Sequence, residues 1–412
     1  MMCGAPANGS GWLDPGWLHN AALNEAPAPG QRVHYRFGSD ATGWSATHSF
    51  LAGPPPGSPT RFLVFNDVGM AAPILFDNTC PPYCPAGLEW DVGYALNSTK
   101  LVRYISKEDA DVALLIGDLS YAQGFAADWD TFGKQFEPAF TRYPVMVAPG
   151  NHEADWPGTG DAFENKSRDS GGECNVPLTY RYVTPATWPR LDPKRAFYSF
   201  NMGDVHFLIL DSERPSSPGT PQHDFAVADL ASVDRSKTPW IVAGMHRMLA
   251  APSGDTRPVV GDQANMARLM ADYEELFAAS GVALVIVGHE HAYSRSCPLY
   301  KGSCTPPAEG GIVHVLAGMS GAGFTNNFPT KANGSYDLPA WIEHAAQFQN
   351  GYLRVASAGG SLLVEAVSSD DGTVFDSARL QLPKPRSGGA ARGKHAGLLE
   401  PLRKFVSGLF SH

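Results

Sequence analysis

Seven short apolar runs recur through the middle of this chain, at residues 61–65, 112–116, 144–148, 206–210, 240–243, 282–287 and 312–317. Runs of this length, separated by helix-patterned or polar stretches, predict strands buried on both faces and alternating with helices, the rhythm of an α/β protein. One intervening stretch, 266–279, carries Met266, Leu269, Met270, Tyr273, Leu276 and Phe277 on a single helical face. That stripe needs a sheet to pack on and implies no chemistry of its own. Beyond residue 350, the segments 352–355 and 362–367, then Asp370-Asp371-Gly372 and 374–382, predict a closing antiparallel ribbon. Before residue 60, 32–37 alternates and 46–51 follows a Gly-Trp turn, ahead of a Pro-rich break at 53–59. Two strands are too few for a domain and read as the end of a β-sandwich that begins upstream.

The last thirty residues differ in character. A basic Pro/Gly/Ala linker, 383–397, leads to Leu398, Leu399, Leu402, Phe405, Val406, Leu409 and Phe410 on one helical face. Such a tail helix suits docking onto its own domain or a partner, or contact with a membrane surface through Arg403 and Lys404. No segment approaches the length of a transmembrane helix. A formal charge of −10 argues against a nucleic-acid polymer as the main partner. A homodimer is compatible with the sequence but not specified by it.

Six cysteines are too few for a disulfide scaffold. Cys297 and Cys304 flank a short loop, and Cys80 and Cys84 bracket a Pro-Pro-Tyr turn. Neither pair has the companion ligands of a structural zinc site, so both are expected to be disulfides. Cys3 and Cys174 are left over, either bonded outside this sequence or free. Sequons at Asn8, Asn97, Asn165 and Asn333, where composition alone gives about two, lean with the cysteines toward a secreted glycoprotein, extracellular or vacuolar. The first 25 residues hold no apolar run fit for a signal peptide, so the start is truncated or the signal is absent.

Five of the apolar runs end in residues able to bind a metal: Asp67, Asp118 with Tyr121, Asn151 with His152, His246, and His289 with His291. Ligands gather at the carboxyl ends of strands in open α/β sheets. Taken singly, an Asp after a strand usually caps a helix, Gly-Asn makes a turn, and a lone His is a core residue. Gly288-His289-Glu290-His291 is stronger, because two imidazoles one residue apart can reach a shared cleft. Five motifs in order, all at strand ends, make coincidence a poor explanation. A dinuclear hydrolase needs one carboxylate between cations about 3.5–4 Å apart, with further donors completing each site. Asp118 suits the bridge, and Tyr121 offers a phenolate that favours a trivalent ion.

The set resembles the purple acid phosphatases, whose motifs are G-D-x-G, G-D-x-x-Y, G-N-H-E/D, V-x-x-H and G-H-x-H. Here they read Asn66-Asp67-Val68-Gly69, Gly117-Asp118-Leu119-Ser120-Tyr121, Gly150-Asn151-His152-Glu153, Ala243-Gly244-Met245-His246 and Gly288-His289-Glu290-His291. The two departures, Asn66 and Ala243, fall beside ligand positions. Generic calcineurin-like metallophosphatases usually carry D-x-H and G-D-x-x-D, where Gly69 and Tyr121 stand here.

The resemblance implies an α/β/β/α metallophosphatase sandwich preceded by the remnant of a fibronectin-like β-sandwich. The parts would be 1–57 for the partial β domain, 58–350 for the catalytic domain, 351–382 for its C-terminal strands and 383–412 for linker and tail helix. It implies that Asp67, Tyr121 and His291 hold iron(III), that Asn151, His246 and His289 hold a divalent ion (zinc, manganese or iron), and that Asp118 bridges. Small phosphate esters would be hydrolysed by a metal-bound hydroxide at an acidic optimum, with Asn151, His152 and Arg247 at the phosphate. His152 is the general-acid candidate. Family histidines in the loop after V-x-x-H have no counterpart here, which leaves Asp255 or Asp262 as substitutes or a preference for good leaving groups. Residues 150–157 and 169–177 resemble a plant-type subgroup, some of whose members are nucleotide pyrophosphatase/phosphodiesterase-like. Phosphomonoesterase, phosphodiesterase or pyrophosphatase, and a catalytically silent metal protein are the three functions compatible with the sequence.

Overall fold

The computed structural model describes residues 1–21, 23, 25–70, 93–158, 167–186 and 191–382. Cys80, Cys84, Asn165 and the tail helix at 398–410 lie outside the described residues.

The buried runs form the parallel centres of two mixed sheets. In the first, Arg61–Val64, Val112–Ile116 and Val145–Ala148 lie parallel. The sheet extends antiparallel through Gly351–Ala358, Ser361–Ser368 and Val374–Gln381, the ribbon expected after residue 350. In the second, Val205–Ile209, Trp240–Gly244, Leu284–Val287 and Val313–Ala317 lie parallel in that order. Tyr198–Met202 closes one edge, and Tyr293–Ser296 with Ile342–Ala346 the other, all antiparallel. The sequence pattern did not give these three strands: the two at the edges, Tyr198–Met202 and Ile342–Ala346, are mixed in exposure, and buried Tyr293–Ser296 is mostly polar.

Side-chain alternation sorts each strand between two cores. Phe62, Val64, Val112, Leu114 and Ile116 of the first sheet meet Phe207, Ile209, Trp240, Val242, Leu284 and Ile286 of the second in a central layer. The opposite faces, Leu63, Ala113, Leu115 and Val147, pack on Trp129, Phe132 and Phe136 of the helix Ala126–Phe140 and on Leu101 and Ile105 of Gly93–Ile105. Beyond the second sheet, Leu208, Ile241, Ala243 and Val285 meet Leu230 of the helix Pro221–Ser232 and Leu269, Tyr273 and Phe277 of Asp262–Ser280. This is the four-layered α/β/β/α fold of the calcineurin-like metallophosphatases. Leu269, Tyr273 and Phe277 belong to the stripe read from the sequence. No described helix is long and apolar enough to cross a membrane.

The strands Arg32–Tyr35 and His48–Leu51 pair antiparallel, as their pattern required. The first dozen residues run elsewhere: Cys3 and Ala7 donate backbone hydrogen bonds to Gly172 and Gly171, and Ala126 donates to Gly11. Cys297 and Cys304 form the expected disulfide. Cys3 and Cys174, expected to lack a partner within the chain, are bonded to each other. Residues 171 positions apart in sequence meet because residues 3–7 are laid along the loop at 171–174.

His314, on the helix-facing side of Val313–Ala317, is buried with neither ring nitrogen hydrogen-bonded among the described residues. Burial pulls its pKa down to about 4. The unfolded chain therefore takes a proton near pH 6.5 that the fold refuses until about pH 4. Stability is full above the higher value and falls by roughly 3 kcal/mol at most as pH descends through this window. His314→Leu is expected to flatten that fall and to raise the melting temperature at pH 5 more than at pH 7.5, measured by thermal unfolding.

Candidate metal centre

The carboxyl ends of both parallel sets open onto one cleft. Asp67, Asp118 and Asn151 follow strands of the first sheet, while His246, His289 and His291 follow strands of the second. Each chain reversal is tight, and Asp67, Asp118, Tyr121 and His289 have φ of 54°, 51°, 52° and 76°. Non-glycine residues in this left-handed region are strained and concentrate at functional sites. The surrounding glycines are required for space. A Cβ on Gly150 would lie 2.1 Å from Asp118 Oδ1, and one on Gly288 would lie 2.3 Å from Asp67 Oδ2.

Two overlapping donor groups result. Asp118, His246 and His289 each place a donor atom within 4.8 Å of the others, as do Asp67, Asp118 and His291. Asp118 is common to both. Around the first group, Asn151 Oδ1 lies 3.0 Å from His246 Nε2 and 2.9 Å from His289 Nδ1, and Asp118 Oδ2 lies 3.2 Å from His246 Nε2. Around the second, the Tyr121 hydroxyl lies 2.8 Å from His291 Nε2 and 3.3 Å from Asp118 Oδ2, and Asp67 Oδ1 is 3.8 Å from His291 Nε2. All seven sequence-predicted donors thus converge, and all but half-buried His289 are buried.

Backbone donors hold the acids in place. The His289 amide donates to both Asp67 oxygens, and the His152 amide to Asp118 Oδ1. Glu153, which sequence reasoning quoted only as part of a motif, accepts from the amides of Asp118, Leu119 and Gly150 and so clamps two of the turns together. Asn66, a departure from the family motif, accepts from the Ile116 amide and donates to the Val287 carbonyl, tying three strand ends together.

The electrostatics favour cations. Burial pushes the Asp67 carboxyl well up, with His246 opposing and Asp118 reinforcing the shift. For Asp118, burial is outweighed by the charges of His246 and His152 and a hydrogen bond from His246, so its pKa lies far below the usual range. Burial alone would lower His246, yet Asp118 and Asp67 raise it to about 10. Burial lowers His291 to about 4, and burial with Arg247 lowers His289. Two acids, a phenol, an amide oxygen and three imidazoles therefore make a donor set whose buried negative charge a cation neutralises, a fit to two ions sharing Asp118.

A family model described as calcineurin-like phosphoesterase matches residues 60–293, more than half of the chain, and one described as iron/zinc purple acid phosphatase-like protein C matches 311–377. The chain belongs to the purple acid phosphatase family. It is 32% identical to a barley (Hordeum vulgare) protein named nucleotide pyrophosphatase/phosphodiesterase, over 81% of this chain and 87% of that protein. It is 33% identical to an Arabidopsis thaliana protein named "Probable inactive purple acid phosphatase 1", over 91% of this chain and 59% of that one. The purple acid phosphatase structure from yellow lupin (Lupinus luteus) seeds superposes with a TM-score of 0.75 at 31% identity, covering 92% of this chain and 64% of that one. The chain spans about three-fifths of the length of several of these relatives. Calcineurin-like phosphoesterases of this family are hydrolases with a dinuclear metal centre.

In this chain, His152 stands beside the cluster. Its ring packs on Tyr121 at 4.4 Å, and its Nε2 lies 3.9 Å from Asp118 Oδ2. Arg247, expected at the phosphate, is turned inward. Its Nε donates to both Glu213 oxygens, Nη2 donates to Asp155 Oδ2 at 3.1 Å, and Nη1 lies 3.1 Å from His289 Nε2. A residue 4% exposed and gripped by two buried acids supports His289 from beneath and presents no open fork toward the cleft. Asp255 and Asp262, the two acids weighed as proton donors, are held below the usual range: Asp255 mainly by hydrogen bonds from Arg257, and Asp262, against burial, by hydrogen bonding and charge from His289. A Gly150→Ala chain is expected to lose about 1–3 kcal/mol through overpacking and to retain less metal after desalting. Gly133→Ala, in the helix Ala126–Phe140 with nothing near its Cβ, is the control and should gain roughly 0.5–1 kcal/mol. Metal content by mass spectrometry and melting temperature check both.

Proposed function

We propose that this chain hydrolyses phosphate monoesters at a dinuclear centre of iron(III) and a divalent ion. The observation that carries the reading is the pair of donor groups sharing Asp118, one of which has the Tyr121 hydroxyl against two of its members. Asp67, Tyr121 and His291 would hold iron, and Asn151, His246 and His289 the divalent ion (zinc, manganese or iron), with Asp118 between them. When bound, the two cations supply Lewis-acid polarisation of the phosphoryl group and acidify water, which suits work at acidic pH.

The remaining contributions come from side chains. Asn151 and His152 line the approach to Asp118 and orient the phosphate. His152, part-exposed beside the cluster, carries the proton to the leaving oxygen. With Arg247 paired to Glu213, Asp255 to Arg257 and Asp262 to His289, leaving-group protonation is assigned to this one imidazole. That favours a second reading, hydrolysis of nucleotide diesters or pyrophosphates, whose leaving phosphate needs little help from an acid. The name of the barley relative supports it. Several Arabidopsis relatives are named inactive, whereas the complete donor set and His152 in this chain support turnover.

A chromogenic monoester, a chromogenic diester and a dinucleotide pyrophosphate, compared on one metal-loaded preparation, separate the readings. The monoesterase reading requires the first to be turned over fastest, and no turnover of any with both metals bound would sink both enzymatic readings. His152→Ala is expected to lower kcat roughly 10²- to 10⁴-fold on alkyl esters with metal content unchanged, and less on nitrophenyl esters. Tyr121→Phe should abolish a visible tyrosinate–iron(III) absorption band while leaving the divalent ion bound, measured by absorbance and metal analysis.

A further inference from the structure

The two ends of a carboxamide have nearly the same shape, so Asn151 has no intrinsic reason to present oxygen to a cation in preference to nitrogen. Its neighbours decide. Asp169 Oδ2 lies 3.0 Å from Asn151 Nδ2. A carboxylate only accepts, so it holds the nitrogen on its own side and turns Oδ1 to the other. There Oδ1 lies 3.0 Å from His246 Nε2 and 2.9 Å from His289 Nδ1, among the donors of the Asp118 group.

Asp169 stands on a well-anchored loop. Its amide donates to Ser167 Oγ, and the next residue, Ser170, donates from both its amide and hydroxyl to the Asp155 carbonyl. Further on, Glu173 accepts from the Gly124 amide and the Trp129 indole, Cys174 is bonded to Cys3, and the Asn175 amide donates to the Glu153 carbonyl. These contacts fix the loop to the two turns that carry Asp118 and Asn151, so the carboxylate is delivered to the amide by a rigid frame.

We propose that Asp169 is the positioning residue of the divalent site, selecting the amide orientation in which Asn151 offers oxygen. The inference rests on the reading of Asn151 as a ligand. Without Asp169 the amide can turn over and point an N–H pair at the cation, and loss of such an outer hydrogen-bond partner costs about 10- to 100-fold in metal affinity. A carboxylate at position 151 has no wrong end, so it should be indifferent to the loss of Asp169.

The test is manganese(II) titration of the metal-stripped full chain, with free ion followed by electron paramagnetic resonance. Asp169→Ala is expected to weaken one of two sites about 10- to 100-fold and the other by less than about threefold. Asn151→Asp added to Asp169→Ala should restore the weakened site to within about threefold of the unsubstituted chain. Asp169→Leu, which fills the same volume without an acceptor, takes the place of Asp169→Ala if that variant does not fold. Unchanged affinity in the single variant overturns the inference, as does a loss that Asn151→Asp fails to recover, the pattern of a loop that merely packs. An unsubstituted chain that binds fewer than two ions overturns the metal-centre reading itself, a failure visible before any substitution is made.

Discussion

The site is organised around the burial of one carboxylate. Asp118 is 1% exposed, on a left-handed turn, at the place where the strand ends of two sheets meet. Taking an ion this far from water costs several kcal/mol unless charge and hydrogen bonds compensate. Compensation arrives from every side: the His152 amide on one oxygen, His246 and the Tyr121 hydroxyl on the other. The neighbouring buried acid, Asp67, adds charge of the same sign and makes a cation the natural remaining partner.

A second tier of ionic groups lies beneath. Arg247 joins Glu213 and Asp155, and the Asp155 backbone carbonyl in turn receives Ser170 at the root of the Asp169 loop. Buried ion pairs of this kind add little net stability against an apolar replacement, but removing one partner leaves the others uncompensated. Their effect here is geometric, since the same network touches His289 at Nε2 and frames the loop that reaches Asn151.

Much of this was legible in the sequence because it depends on local pattern. Strands buried on both faces leave continuous apolar runs, and residues two or three places past the end of such a run stand at the carboxyl edge of a sheet, as Asp118, His246 and His289 do. What escaped was long-range or mixed in signal. The edge strands Tyr198–Met202 and Ile342–Ala346 alternate poorly in exposure. The Cys3–Cys174 bond joins segments whose proximity no spacing reveals. Arg247 follows His246 in sequence, yet its partners Glu213 and Asp155 lie far away, so neither its inward direction nor its role could be read locally. Asp169 was visible only as part of a family-like stretch, because its link to Asn151 crosses a loop.

The division of donors between two sheets has a mechanical consequence. Each group sharing Asp118 draws at least one member from either side of the central layer: His246 and His289 against Asp118 in one, His291 against Asp67 and Asp118 in the other. A cation held by such a group is a clasp across the sandwich. The pocket cannot exist until both sheets have docked, so the free energy of binding is linked in full to that docking, about 2.7 kcal/mol per ion at a hundredfold excess over Kd. Residues that would hold the ions would thus also fasten the two halves of the core together, and the stability of the scaffold would follow the availability of the ion.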